Sequence, residues 1–573
     1  MKMKKLISVI LCLIVTMSMA AGCGNTESGN GKNADGAGQT QASGAQGDTA
    51  QSNANQADGN GDTQATSGEG AADAGASTDA SADGDAKPID SGASSDDEDM
   101  AEINMVYFSM TAIPTGLAEV EHEINVITEA EINTHVNIEM IELGSYEQQI
   151  NLKISSGEKL DLMVTIPYGS PTFSNMASQK QLMDISGLLP EYGQGIVDTL
   201  GGFITATSVG DAVYGATTYR TLNSNVYIVM RTDVLEDLGL TEQAAEMSSF
   251  SDYEAILAAV KASEQWNYLA GIVPSDSSGL ILPIAGAYLD KDKFADGTCY
   301  DSLGDLNKII AINPDGSDGA VTMNFATDTY KGMVDMLRGW YEKGYIYKDA
   351  ANQNESAESL VQSNAAFSFI CSSEVGVETA KSEACGMDMT CVKVLSLPIT
   401  TSSCTKFVWA VPQTATEPEA AVKMLNLMYT DARICNLLCW GIEGRDYDVK
   451  NGMAAYPEGV DANNCAYHTA DFIYGNQFLA LPWDGQGSDF RQTSKTDMEA
   501  APTSAYLGFS CDTSGIENEL TAITNTINEF LPGLDSGVAA QGQYEAFLEK
   551  LEKSGVQKVV DTYQEQLDTW LNK

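Results

Sequence analysis

Residues 101–166 read AEINMVYFSMTAIPTGLAEVEHEINVITEAEINTHVNIEMIELGSYEQQINLKISSGEKLDLMVTI, and their hydrophobic rhythm switches repeatedly between two periods. Residues 103–108 form a short apolar run, the pattern of a strand covered on both faces. Leu117, Val120, Ile124 and Ile127 then recur at helical spacing. Val136, Ile138 and Met140 alternate with polar residues, as a strand does. Tyr146, Ile150 and Ile154 mark a second helix that Gly157 stops. Residues 160–166 give a third strand, closed by Pro167. Strands alternating with helices of this length predict an α/β fold with a doubly wound sheet.

Downstream the same alternation starts again near residue 220. Residues 225–230 read as a strand. Ser251-Asp252-Tyr253-Glu254 has the spacing of a capping box opening a helix that contains Ile256, Leu257 and Val260. Tyr330, Met333, Leu337 and Trp340 line another helix, ended at Gly344, and this stripe places Trp340 in the core. Strands are predicted over 365–371, 392–397 and 406–411, and Pro418 suits the first turn of a helix reaching Tyr429. From about 515 the chain is mainly helical.

Upstream the reading is different. Residues 1–23 carry Lys2, Lys4 and Lys5, then an apolar stretch too short to span a bilayer, then the small residues Ala20, Ala21 and Gly22 before Cys23. This pattern is similar to a bacterial lipobox, which implies cleavage before Cys23, lipidation of that cysteine and anchorage on the outer face of the cell membrane. Residues 24–100 contain no aromatic residue and only Ile89 among Val, Leu and Ile. Such a segment buries too little apolar surface to offset its ordering entropy, so 24–100 is read as a Gly/Ala/Ser/Asp-rich disordered tether. The folded body is 101–573. No further transmembrane segment and no internal repeat are expected.

Charge excludes several function classes. The chain of 573 residues has 31 basic and 80 acidic side chains, a net of −49. A field of that sign repels nucleic acid and anionic lipid headgroups. With three histidines and no C-x-x-C pair, a His-rich or strongly patterned zinc site is not expected. Nine body cysteines cannot all pair with one another, and they are read as mostly buried free thiols. No phosphate-binding loop occurs, and Gly508-Phe509-Ser510-Cys511-Asp512 lacks the closing glycine of a nucleophile elbow. His122-Glu123 begins a zinc-protease signature, but Val126 stands where its second histidine is needed. Asp290, Asp292 and Asp296 miss the spacing of a calcium loop and read as an acidic turn. Neither cofactor nor metal is expected. Carboxylate pairs suited to glycoside hydrolysis stay open, because separation in space is not readable from sequence.

Several motifs of the body together resemble a known family. They are Val213-Tyr214-Gly215, Val226-Tyr227-Ile228, Arg231-Thr232-Asp233-Val234-Leu235 and Trp340-Tyr341-Glu342-Lys343-Gly344-Tyr345-Ile346. The C-terminal set is more specific: Phe407-Val408-Trp409-Ala410-Val411-Pro412, Leu425-Asn426-Leu427-Met428-Tyr429-Thr430-Asp431, Gly441-Ile442-Glu443-Gly444-Arg445-Asp446-Tyr447, Gly475-Asn476-Gln477-Phe478 and Pro482-Trp483. The body resembles extracellular solute-binding protein family 1, the capture lipoproteins of ABC importers, in a LipO-type subgroup ending in domain of unknown function 3502. Cysteines such as Cys435, Cys439 and Cys511 depart from the family pattern.

The resemblance implies a two-lobe, type II periplasmic-binding-protein-like fold with solute held between the lobes. Lobe one is expected at about 101–219 plus 397–445, and lobe two at about 220–396 plus 446–573. It also implies a monomeric, non-enzymatic receptor that captures a polar solute, chiefly carbohydrate, and delivers it to permease subunits. The alternatives are a surface-anchored carbohydrate-active enzyme, or a ligand sensor on the same fold. Ligands of open α/β sheets bind beyond the carboxyl ends of strands. That rule selects Phe108, Ser109, Tyr168, Ser373 and Glu374, with Tyr219 and Arg220 at the lobe crossing. Trp409, Trp440 and Trp483 join them as aromatic faces for a sugar, while Glu443 and Arg445 read as a structural ion pair.

Overall fold

The computed structural model describes residues 100–275, 293–294 and 299–572. The leader with Cys23, the tether up to residue 99 and the Asp290–Asp292–Asp296 turn lie outside the described residues. Nine strands build the two main sheets: β1 (Ala101–Ser109), β2 (Thr134–Glu142), β3 (Leu162–Val164), β4 (Ala216–Thr217), β5 (Asn225–Arg231), β6 (Ala270–Val273), β7 (Ala366–Ser373), β8 (Met389–Ser396) and β9 (Val408–Ala410).

The first sheet runs β2-β1-β3-β9-β4. β1 pairs in parallel with β2 and β3, as its unbroken apolar run requires, and the helices Leu117–Ile132 and Leu143–Ser156 make the two crossovers. Gly157 ends the second helix in the left-handed region at φ 69°, its N–H returning to Ile154 O. β9 enters antiparallel between β3 and β4 from far along the chain. The buried Asp161 fixes its exit: Oδ1 accepts the N–H groups of Thr416 (2.8 Å) and Glu417 (3.1 Å), just before the helix Pro418–Thr430.

The second sheet runs β8-β5-β7-β6, with β5 antiparallel to both neighbours and β6 parallel to β7. The helix Phe250–Ala262 opens two positions earlier than the sequence spacing predicts. Its cap is Ser249, whose hydroxyl accepts Asp252 N–H at 3.0 Å, and Asp252 reaches back to Ser248 N–H. Ser251 is therefore not the cap. Glu254 is free to take the Trp340 indole N–H at 2.9 Å and the Lys343 ammonium. Trp340 is 1% exposed, as its helical stripe predicts.

Two large cores follow the sheets, with a smaller cluster around Val229, Phe369 and Met389 on the second sheet. Residues 399–501 pack with the first, and 506–567 with the second. The stretch 446–501, expected in lobe two, thus belongs with lobe one, because Tyr447, Ala454, Tyr467, Tyr474 and Met498 bury their side chains against the first sheet's core. The chain therefore crosses three times: near 218–225, near 396–400 and near 501–505. Backbone bonds tie these crossings together: Leu397 N–H to Ser224 O (2.8 Å), Ile399 N–H to Pro502 O (2.8 Å) and Ser504 N–H to Ile399 O (2.9 Å). Asp497 clamps them, accepting from Asn223 (2.9 Å), Asn225 (2.8 Å) and Lys393 (2.9 Å).

All nine body cysteines are free thiols, six of them buried. Among the described residues no helix is long and apolar enough to cross a membrane. Trp340→Ala removes a large side chain packed edge-on against Phe250 and Tyr253. It should cost about 3–5 kcal/mol of stability, read as a lowered melting temperature of the ligand-free protein.

Candidate functional site

Four segments converge where the crossings leave the sheets. The first crossing carries Tyr219 and Arg220, β7 ends just before Glu374, the approach to β9 carries Lys406 and Phe407, and the 468–483 stretch brings His468, Asp471, Phe472 and Trp483. Arg220 is 9% exposed. Its two terminal nitrogens donate to the carbonyls of Thr221 (2.9 Å) and Ser403 (3.1 Å), and its guanidinium lies 5.7 Å from the Phe407 ring centre. Glu374 is half-buried, and burial raises its carboxyl above the ordinary range while the Arg220 and Lys406 charges pull it back. Burial, reinforced by Arg220, pushes the Lys406 ammonium down to about 8. Asp471 adds negative charge beside Glu374 but is itself held by Arg491 at 2.5 Å.

Aromatic rings cover the rest of this region. Phe407 lies 5.8 Å from Phe108 and 5.4 Å from Phe472. A second group joins Trp440, Tyr456, His468 and Trp483, whose centres lie 4.9 Å (Trp440–Trp483), 4.8 Å (Tyr456–Trp483) and 4.4 Å (His468–Trp483) apart. Such separations suit offset and edge-on ring packing. The Trp440 indole is anchored to Leu481 O at 3.1 Å, whereas Trp483 keeps partial exposure. His468 Nδ1 is buried without a hydrogen-bond partner among the described residues. Burial pushes this imidazole down to about 4, so it is neutral at pH 7, and Asp471 and Asp446 oppose the shift.

The residues selected from sequence divide accordingly. Arg220 and Glu374 come together, as do Trp440 and Trp483. Tyr168 is 39% exposed beyond β3. Trp409, Phe108, Ser109 and Tyr219 are buried in lobe one. Trp409 is 0% exposed and donates to Ile473 O at 2.7 Å, so its whole ring is committed to packing. Phe108 packs edge-on against Tyr146, Ser109 bonds Ala112 O, and Tyr219 packs against Phe478. Arg445 pairs not with Glu443 but with the buried Asp446 (2.6 Å) and with Glu119 (3.7 Å). Sequence reasoning missed Lys406, Phe407, Asp471, Phe472, Tyr456 and His468. A lysine opening the apolar run of β9 was the one available signal.

Trp409→Ala should destabilise the ligand-free protein by about 3–5 kcal/mol rather than act on binding, as thermal melting will show. Trp483→Ala, at a partly exposed ring, should lower that melting temperature less than Trp409→Ala does. For His468 the fold lowers the pKa from 6.5 to about 4, so the unfolded chain binds the extra proton between those values. Stability should therefore fall as pH drops from about 6.5 to about 4. His468→Gln should lose less stability over that range, and equal losses in denaturant melts at pH 7 and pH 5 would show that His468 is not responsible.

Comparison with known proteins follows the same outline. The model of the bacterial extracellular solute-binding protein family matches residues 124–432, and that of a domain of unknown function (DUF3502) matches 505–572. A Streptococcus pneumoniae carbohydrate ABC transporter substrate-binding protein is 22% identical over 466 residues, which is 80% of this chain and 89% of the relative. In three dimensions the chain is similar to the N-glycan transport solute binding protein NgtS of the same organism, with TM-score 0.66, 19% identity, 82% of this chain and 99% of that one. It is also similar to an HMO-binding, ABC-transporter-associated solute binding protein of Bifidobacterium longum infantis, with TM-score 0.56, 13% identity, 82% of this chain and 99% of that one.

Proposed function

We propose that this chain, which belongs to the bacterial extracellular solute-binding protein family, is the carbohydrate receptor of an ABC importer, capturing an oligosaccharide between its lobes without cleaving it. The observation that carries the reading is similarity over 80% of the chain to a carbohydrate ABC transporter substrate-binding protein. The site supports it chemically. Flat aromatic faces at Phe407, Phe472 and Trp483 suit sugar C–H surfaces, and Arg220, Glu374 and Lys406 supply polar partners for hydroxyls.

The mechanism is differential binding to two lobe arrangements. Three adjacent crossings form a hinge, and a solute touching both lobes stabilises the closed arrangement. The closed form then docks on permease subunits. A micromolar Kd corresponds to about −8 kcal/mol, within reach of a few ring contacts and hydrogen bonds. In this reading lipidated Cys23 holds the monomer at the outer face of the cell membrane. Each buried acyl CH₂ contributes about 0.8 kcal/mol, and the 24–100 tether leaves the body free to meet the permease.

An oligosaccharide screen by thermal shift should yield a ligand that raises apparent stability by roughly 2.7 kcal/mol at 100 times its Kd. Small-angle scattering should show compaction, chromatography should return the sugar intact, and Trp483→Ala should weaken binding more than tenfold. Turnover of the sugar would instead make the chain an enzyme. Mass spectrometry of the mature protein should find acyl chains on Cys23, and a bare N-terminus would remove the anchor.

A further inference from the structure

The chain has six arginines, and five of them lie within ion-pair distance of a carboxylate: Arg231, Arg338, Arg433, Arg445 and Arg491. Arg220 is the exception. It is buried, its terminal nitrogens reach only backbone carbonyls, and its Nε has no hydrogen-bond partner among the described residues. Lys406, beside it at the lobe junction, has neither a hydrogen bond nor an ion pair among the described residues. Buried cations are ordinarily matched by a carboxylate, because removing an unpaired charge from water costs several kcal/mol. In a chain with 80 acidic and 31 basic side chains, two cations at the junction without a direct ion pair stand against the composition.

The neighbours do not supply the missing anion. Glu374, at the end of β7, is the carboxylate whose charge both cations feel, but it makes no direct ion pair with either among the described residues. Asp471 is taken by Arg491. From lobe two Lys308 adds a third positive charge facing Lys406. The carboxylates nearest Lys308 are satisfied elsewhere. Asp305 accepts three backbone N–H groups, of Asn307, Ile309 and Ile310, and Asp301 accepts from Ser504 and Leu303. Half-exposed Phe407 and Phe472 line the same place, so a sugar ring can pack there beside the charges.

The geometry points to an acidic sugar as the solute: a saccharide whose carboxylate, sulfate or phosphate sits against Lys406 and Arg220 while its ring packs on Phe407 and Phe472. This rests on the receptor reading above and narrows its substrate class. The negative surface would slow capture of such a solute at low salt, and the local cations give it a place to be held once inside. Glu374 then acts as the competing charge that limits affinity and rejects solutes with an anion in the wrong position.

The test is isothermal titration of the full chain in detergent with matched pairs: 3′-sialyllactose against lactose, trigalacturonate against its methyl ester, and a sulfated chondroitin disaccharide against its unsulfated form. In at least one pair the charged member should bind ten times more tightly or better, and which pair does so separates carboxylate from sulfate recognition. Lys406→Met should erase that difference by weakening the charged member far more than the neutral one, Lys406→Arg should retain it, and Glu374→Gln should strengthen the charged member. Raising pH from 7 to 9 should weaken only the charged member, since Lys406 loses its proton there, with Arg220, Lys308, Glu374 and Asp471 the charged groups around it. Melting temperatures of the variants check that each is folded. Neutral members binding as well as charged ones, with Lys406→Met changing neither, overturn the inference and leave the sugar receptor standing. Failure of every saccharide, neutral or charged, overturns both.

Discussion

The insertion of β9 between β3 and β4 is the constraint on which the rest of the structure depends. Three residues complete the first sheet, yet they arrive only after the chain has left lobe one and built the whole second sheet. The crossings are a consequence of that return. The fit is tight: a Cβ on Gly215 would stand 2.6 Å from the Val408 side chain and 2.7 Å from Trp409 O, so only glycine can lie alongside. Trp409 then fastens the 468–483 stretch through Ile473 O. That stretch in turn carries Asp471, Phe472 and Trp483 to the junction. One short strand thus sets both the hinge and half of the candidate site.

Charge is distributed with the same economy. The body holds 26 basic and 65 acidic residues, and pairs such as Lys331–Asp335, Lys495–Glu499 and Lys553–Glu549 lie on the surface and carry small energetic weight. The junction differs in kind. There the cations are desolvated, and any interaction they make is stronger than its surface equivalent. The clamp at Asp497 uses the same logic, since a single carboxylate accepts from the amides of Asn223 and Asn225 in one segment and from Lys393 in another. Hydrogen bonds to an ionised acceptor are roughly twice as strong as neutral ones, which lets one small residue hold these segments in register.

Much of the architecture was legible in the sequence. The apolar run of β1, the helical stripe ending at Trp340 and the stop at Gly157 each reported a local rule that tertiary packing did not override. Helix caps were less legible: Ser249 and Ser251 both stand near the helix start, and the cap is Ser249, with Asp252 bonding backward to Ser248. The candidate site was legible only in part. An aromatic residue in a family-like motif can serve core or cleft, and Trp409 went to the core because it sits on an interior strand paired on both sides and covered by packing. Trp440, Tyr456, His468 and Trp483 make one group from positions spread over more than one element, and no periodicity announces such an encounter. The division at 446–501 was equally hidden, since loop-rich sequence carries no signature of the core it will join.

The nine thiols have a further consequence. Burial pushes Cys404 and Cys435 in the first core, and Cys385 in the second sheet's outer layer, up to about 12, far from the range in which a thiolate forms. Their chemistry is therefore silent for as long as the native packing lasts, and it switches on only when a lobe opens. Each lobe carries its own set, so alkylation kinetics would register the breathing of one lobe independently of the other, from inside the molecule and without any added label. The same silence makes oxidation a question of timing: the six buried thiols are vulnerable while the chain is still emerging, and sealed once it has folded.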